Sequence, residues 1–188
     1  MKLNSSELTN HLSEKVHSIY FLSGSEDLLI IESLDELRKA AALNDYTDKA
    51  TFTVSGQFKW GAVDDSLKSQ SLFGGKKYIE ILIPSSRPGK QGSEAIVKLI
   101  ENIPEDTLLV FVAGKLEKDI KQAKWVKGLQ KKAISIECPK VYPSQFPGWL
   151  TNRLTRHGLG IDRDALEMFV LLTEGNLIVA KQSIERLL

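Results

Sequence analysis

The sequence predicts an α/β protein built on a parallel sheet, followed by a small all-helical unit. Three observations predict it. Five short apolar runs are separated by longer helical patterns. One of those runs, "LLVFV", is continuously apolar, which suits a strand covered on both faces of a parallel sheet. After Pro139 three helical patterns follow one another with no strand between them. A chain of 188 residues with 42% hydrophobic residues can bury one good core, or a medium core beside a small one.

The elements follow in order. "SIYFLSG" (18–24) reads as a buried strand ending at a turn. "EDLLIIESLDELRKAAAL" reads as a helix, with Leu28, Ile31, Leu34 and Leu37 recurring at spacings of three and with Glu26 and Asp27 at the end its dipole favours. "ATFTVS" (50–55) alternates like a strand, and "KWGAVDDSLKSQSLF" reads as a helix ending at Gly74-Gly75. "KYIEILIP" is a strand closed by Pro84, "SSRPGKQG" a loop, "SEAIVKLIENI" a helix stopped before Pro104, and "TLLVFVAG" an apolar strand. A lysine-rich helix over 118–132 and the strand "AISIECP" complete a first unit, 1–139, with a five-stranded sheet. Residues 140–188 form the helical unit, with helix starts at Asp162 and Asn176 and turns at Gly158, Gly160 and Gly175. Its last pattern, "NLIVAKQSIERLL", stops at Leu188 without a cap signal, which suggests a longer parent chain.

Composition excludes several function classes. Charged residues make up 26% and the formal net charge is +1, so bulk charge points to neither nucleic acid nor a membrane surface. One cysteine, Cys138, allows no internal disulfide, and the polar start "MKLNSSELTNHL" lacks a signal-peptide core. No run approaches the roughly 18 apolar residues of a membrane span. The expected location is the cytosol.

The turn after the first long strand is where an α/β domain would carry a phosphate-binding loop. That loop needs Gly, four residues, Gly-Lys, then Ser or Thr. Here Gly24 is followed at those positions by Leu29, Ile30 and Ile31, and Glu26 and Asp27 set two carboxylates where phosphate charge would lie. The strand ending Ala113-Gly114-Lys115 carries no acidic pair for Mg²⁺. No cofactor is expected. His11, His17 and His157 match no metal spacing, Cys138 reads as a core thiol, and Trp60 and Trp149 read as packing anchors. On the lysine-rich helix, Trp125, Val126 and Leu129 share one arc, and Lys121, Lys124, Lys127 and Lys131 the opposite one. Two readings stay open there: a solvated outer face, or a phosphate-facing patch for DNA.

"KSQSLFGGKKYIE" poses the remaining question. Leu72 and Phe73 sit side by side before two glycines, and read on residues alone they are either core or a plug for another protein. Together with "YFLSGSEDLLIIES", "FKWGAV", "DTLLVFVAGKLEK", "KWVKGL", "QFPGWLTNRL" and "TEGNLIVAKQSIERL", the segment "SQSLFGGKK" makes the sequence resemble the delta subunit of bacterial DNA polymerase III clamp loaders. The resemblance implies an AAA+-like (RecA/P-loop-type) first domain and a helical lid-like second one. A third, collar domain would be missing, so that the chain is a monomer. It implies a bacterial cytoplasmic protein that binds no ATP and acts with a DNA-directed DNA polymerase, a nucleotidyltransferase, without catalysis of its own. Its partners would be the sliding clamp (the beta subunit) and, through the full-length chain, the gamma/tau and delta prime subunits. It also places clamp binding on Gln70, Ser71, Leu72 and Phe73, and so answers the question in favour of the plug. An ATPase motor of the same fold and a DNA-binding module remain the rival functions.

Overall fold

The computed structural model describes residues 1–69, 74–173 and 175–188. The chain divides into two compact units, 1–139 and 140–188. In the first, strands β1 (Lys2–Asn4), β2 (Ile19–Gly24), β3 (Asp48–Thr53), β4 (Lys77–Ile83), β5 (Thr107–Ala113) and β6 (Ile134–Cys138) form one sheet in the order β1-β6-β2-β5-β4-β3. Every pairing in it is parallel. Helices α1 (Leu8–Glu14), α2 (Asp27–Leu43), α3 (Gly61–Lys68), α4 (Gly89–Glu101), α5 (Lys118–Lys121) and α6 (Lys124–Lys132) connect and cover the strands.

The continuous apolar run of β5 is explained by its two faces. Leu109, Phe111 and Ala113 join a core with Phe21, Ile81, Ile96, Trp125 and Leu129. Leu108, Val110 and Val112 join a second core with Leu22, Leu34, Leu37, Tyr78 and Ile136. Side chains alternate across a strand, so a strand covered on both faces must be apolar at every position. The edge strand β3 instead alternates half-buried and exposed residues.

The structure corrects the sequence reading in several places, among them the loop read over 85–92, whose last four residues already belong to α4. The sheet has six strands rather than five, because the polar-looking start contains β1, whose single buried side chain, Leu3, was too weak a signal. The helix expected to reach Gly74-Gly75 ends at Lys68, and Ser69 is extended (φ −62°, ψ 142°). The lysine-rich helix is broken at Gln122-Ala123, where Ala123 is extended (φ −62°, ψ 145°). Ile31 is 49% exposed, because the buried stripe of α2 runs through Ser33, Leu34, Leu37 and Ala41.

The second unit holds α7 (Phe146–Arg156), α8 (Arg163–Thr173) and α9 (Leu177–Glu185). Asp162 and Asn176 start their helices as expected: Asp162 Oδ1 accepts from the Ala165 amide at 2.8 Å, and Asn176 Oδ1 accepts from the amides of Ile178 and Val179. The stacked rings of Phe146 and Trp149 and the Arg153 guanidinium over Trp149 tie α7 together. An apolar groove of about 540 Å³ lies among α7, α8 and α9, lined by Leu154, Ile161, Met168, Leu172 and Leu187 among others.

Candidate functional site

Two places bear on the sites expected from the sequence: the turn after β2, and the residues that flank 70–73. Gln70, Ser71, Leu72 and Phe73 themselves lie outside the described residues.

At the turn, Gly24 closes β2 against the end of β6. The amides of Ser25 and Glu26 both donate to the Cys138 carbonyl, at 3.0 and 3.3 Å. A Cβ on Gly24 would come within 1.8 Å of that same oxygen. In a phosphate-binding loop these backbone N–H groups face the ligand. Here a carbonyl already uses them. Leu29 and Ile30 pack against the core on the α2 side of the sheet, and Ile31 is exposed. The Ser25 and Glu26 amides are therefore engaged within the fold, and Leu29, Ile30 and Ile31 stand where a phosphate-binding loop has Gly, Lys and Ser or Thr. Cys138 is fully buried, with its thiol pushed up to about 11 by burial, which fits a core thiol and no nucleophile.

The base of residues 70–73 is built from both flanks. On the leading side, Phe52, Phe58 and Trp60 form an edge-to-face series that fixes the start of α3, and Val63 anchors the helix in the core. At its end the Ser69 amide donates to Asp65 O at 2.9 Å, and Ser69 Oγ donates to Ser66 O. The ammonium of Lys77, the first residue of β4, donates to Ser66 O, to Ser69 O and to Ser69 Oγ (2.9 Å). On the returning side, Gly74 takes φ +73°, which only glycine adopts freely. Gly75 presses so closely on Thr47 that a Cβ would meet its Oγ1 at 1.8 Å. The Lys76 amide donates to Asp45 O at 3.0 Å. The strand reading of "KYIEILIP" missed Lys77 as a buried cation; a lysine opening an otherwise apolar run beside a helix end was the available signal.

One more polar group lies in this sheet. Glu80, at the middle of β4, is 1% exposed and receives both Nε (2.7 Å) and Nη2 (2.8 Å) of Arg38 from α2, and the hydroxyl of Tyr78 (2.7 Å). Burial pushes its carboxyl up, but the hydrogen bonds from Arg38 and Tyr78 outweigh burial and hold it below the ordinary value.

Lys121, Lys124, Lys127 and Lys131 are all exposed, and among the described residues none makes an ion pair. His11 and His17, distant in the sequence reading, stack at 5.2 Å, and burial together with His11 holds His17 below the usual histidine value. Among the described residues no group of side chains could hold a metal ion, and no helix is long and apolar enough to cross a membrane.

A family model described as DNA polymerase III, delta subunit, matches residues 20–139. The chain belongs to that family. The DNA polymerase III subunit delta of Escherichia coli (strain K12) is 28% identical over 187 residues, covering 100% of this chain and 54% of that protein. The subunit delta of Haemophilus influenzae is 28% identical over 184 residues, covering 96% and 53%. The chain thus spans about half the length of the curated relatives it matches. Among solved structures, a Bacillus subtilis DNA clamp loader delta protein matches with a TM-score of 0.76 at 19% identity, over 97% of this chain and 56% of that one. A Thermotoga maritima RuvB gives 0.53 at 16%, over 97% and 59%. These likenesses speak to the fold: a parallel α/β, AAA+-like sheet domain, as expected.

Proposed function

We propose that this chain is a non-catalytic part of a clamp loader. It binds the sliding clamp through Leu72 and Phe73, with Gln70 and Ser71 ahead of them, and helps open one clamp interface for loading onto primed DNA. The observation that carries the reading is the delta-subunit match over residues 20–139, which contains the Ser71-Leu72-Phe73 segment. The physical case agrees. Burying a Leu and a Phe is worth about 1.5–3 kcal/mol each, and anchors held on a fixed base lose little entropy when they dock. The base described above, with α3 held at its start and its end, is such a support.

The turn after β2 supports the non-catalytic part. With Ile30 in the lysine position and the Ser25 and Glu26 amides committed to Cys138, the turn lacks the lysine and hydroxyl that an ATPase motor sets on phosphate and Mg²⁺. Energy from nucleotide would come from neighbouring subunits (gamma/tau, with delta prime), and the tie to a nucleotidyltransferase is by association. The helical unit 140–188 would act as the lid-like second domain, in the bacterial cytoplasm. The mechanism is a population shift: the chain favours an open clamp only as far as it binds that state better. A fluorescent pair across one clamp interface tests this. The wild-type chain raises the open fraction and Leu72→Ala/Phe73→Ala does not; equal opening by both would contradict the proposal.

The four unpaired lysines favour a second, compatible reading, a phosphate contact with duplex DNA. Such a contact predicts weak binding whose log–log salt slope is at most about −4, one unit per lysine. Replacing Lys121, Lys124, Lys127 and Lys131 by glutamine should flatten it; an unchanged slope would exclude this face.

A further inference from the structure

We infer that Lys77 is a positioning residue for the segment 70–73, resting on the clamp-binding reading above: its buried ammonium is the clasp that fixes the point where the segment leaves helix α3. The last carbonyls of a helix lack intrahelical partners and must find donors elsewhere. Helix α3 has no glycine cap, since Ser69 is extended. Its partner comes instead from the sheet. Lys77 is 8% exposed, and its ammonium has three N–H groups for three acceptors: Ser66 O, Ser69 O and Ser69 Oγ. A compact cation at a helix C-terminus also answers the negative end of the dipole.

The clasp is itself held. Lys77 pairs with Asp48 of β3 on one side and Thr107 of β5 on the other, and its amide donates to Asp106 O at 2.8 Å. Two residues earlier, the backbone of Gly75 rests on Thr47. One residue therefore ties the outgoing end of the segment to the strand that receives its returning end. Ser69 is thus held by the first residue of β4, and Gly75 and Lys76 by Thr47 and Asp45, just before β3. A methionine at position 77 would keep the volume and the strand, and would take the ammonium away from Ser66 O, Ser69 O and Ser69 Oγ, leaving Ser66 O, among the described residues, with the Ser69 hydroxyl alone.

The test compares wild type, Lys77→Met and Leu72→Ala/Phe73→Ala by amide hydrogen exchange and by affinity for purified sliding clamp. For Lys77→Met the expected result is at least tenfold faster exchange of the Ser69 amide, with the amides of β5 unchanged, and at least fivefold weaker clamp binding. Unchanged exchange at Ser69 overturns the clasp. Faster exchange with undiminished clamp binding, while Leu72→Ala/Phe73→Ala loses binding, also overturns it, because the clasp then does not serve the segment. If Leu72→Ala/Phe73→Ala binds like wild type, the clamp-binding reading has failed; the exchange result alone then decides whether Lys77 fixes the segment. Should Lys77→Met not fold, Lys77→Arg takes its place, since a planar fork cannot set three donors on these acceptors as an ammonium does.

Discussion

Replacing Arg38 by leucine is expected to destabilise the sheet unit by about 3 kcal/mol at pH 7, the lower end of the range for breaking a buried ion pair. The lower end applies because the Arg38 side chain is itself 45% exposed, whereas Glu80 is 1% exposed. The variant leaves a carboxylate in the core with one hydroxyl donor, Tyr78. The pH dependence gives a sharper check. In the wild type the Glu80 carboxyl is held low, so the folded state binds fewer protons than the unfolded one near pH 4. That contribution is present above the unfolded value and is lost as pH falls through the folded one. In the variant the hydrogen bonds from Arg38 are gone and burial wins, so the carboxyl moves above its unfolded value of about 4.3. The folded variant then takes up a proton more readily than the unfolded chain, and its deficit shrinks as pH falls. Urea unfolding of both proteins at pH 7 and pH 5 measures this. A deficit that stays constant, or grows toward acid, would contradict the account.

Gly24→Ala is expected to be as damaging, for a steric reason. Its Cβ would stand 1.8 Å from the Cys138 carbonyl oxygen and 2.4 Å from the carbonyl carbon, both backbone atoms of a central strand pairing. No rotamer change can relieve that contact. The strands must part, so the loss should exceed the roughly 1–3 kcal/mol of ordinary overpacking. At about 2–4 °C per kcal/mol for a chain of this size, the melting temperature should fall by about 10 °C or more. Gly61→Ala is the control: a Cβ there meets nothing within 4 Å, and its melting should stay within a few degrees of wild type. Equal melting of the two variants would contradict a steric role for Gly24 at the β2 turn.

What the sequence made legible was what periodicity and turn chemistry report. The apolar runs of β2, β4, β5 and β6 were readable because both faces of those strands are covered. Asp162 and Asn176 were readable because a capping side chain must stand at one position. Strand β1 was not, because three residues with one buried side chain carry no period. The break at Ala123 was hidden because alanine fits helix and extended backbone alike, and tertiary packing of Ile120 and Trp125 decides between them. The missing phosphate-binding side chains could be read directly. That the Ser25 and Glu26 amides are spent on Cys138 could not, since the partner lies more than a hundred residues away in sequence, on the neighbouring strand. Lys77 escaped for the same reason: its role depends on carbonyls that only the fold brings to it.

The central claim is that Leu72 and Phe73 belong to the clamp and not to this protein's own core. Binding of this chain to purified sliding clamp, wild type against Leu72→Ala/Phe73→Ala, tests it most directly, with the thermal melting of both proteins measured alongside. The account predicts that the double variant loses clamp binding while its melting temperature stays within a few degrees of wild type. Full binding by the variant, or melting lowered by the several kcal/mol that truncating two core side chains costs, would contradict it.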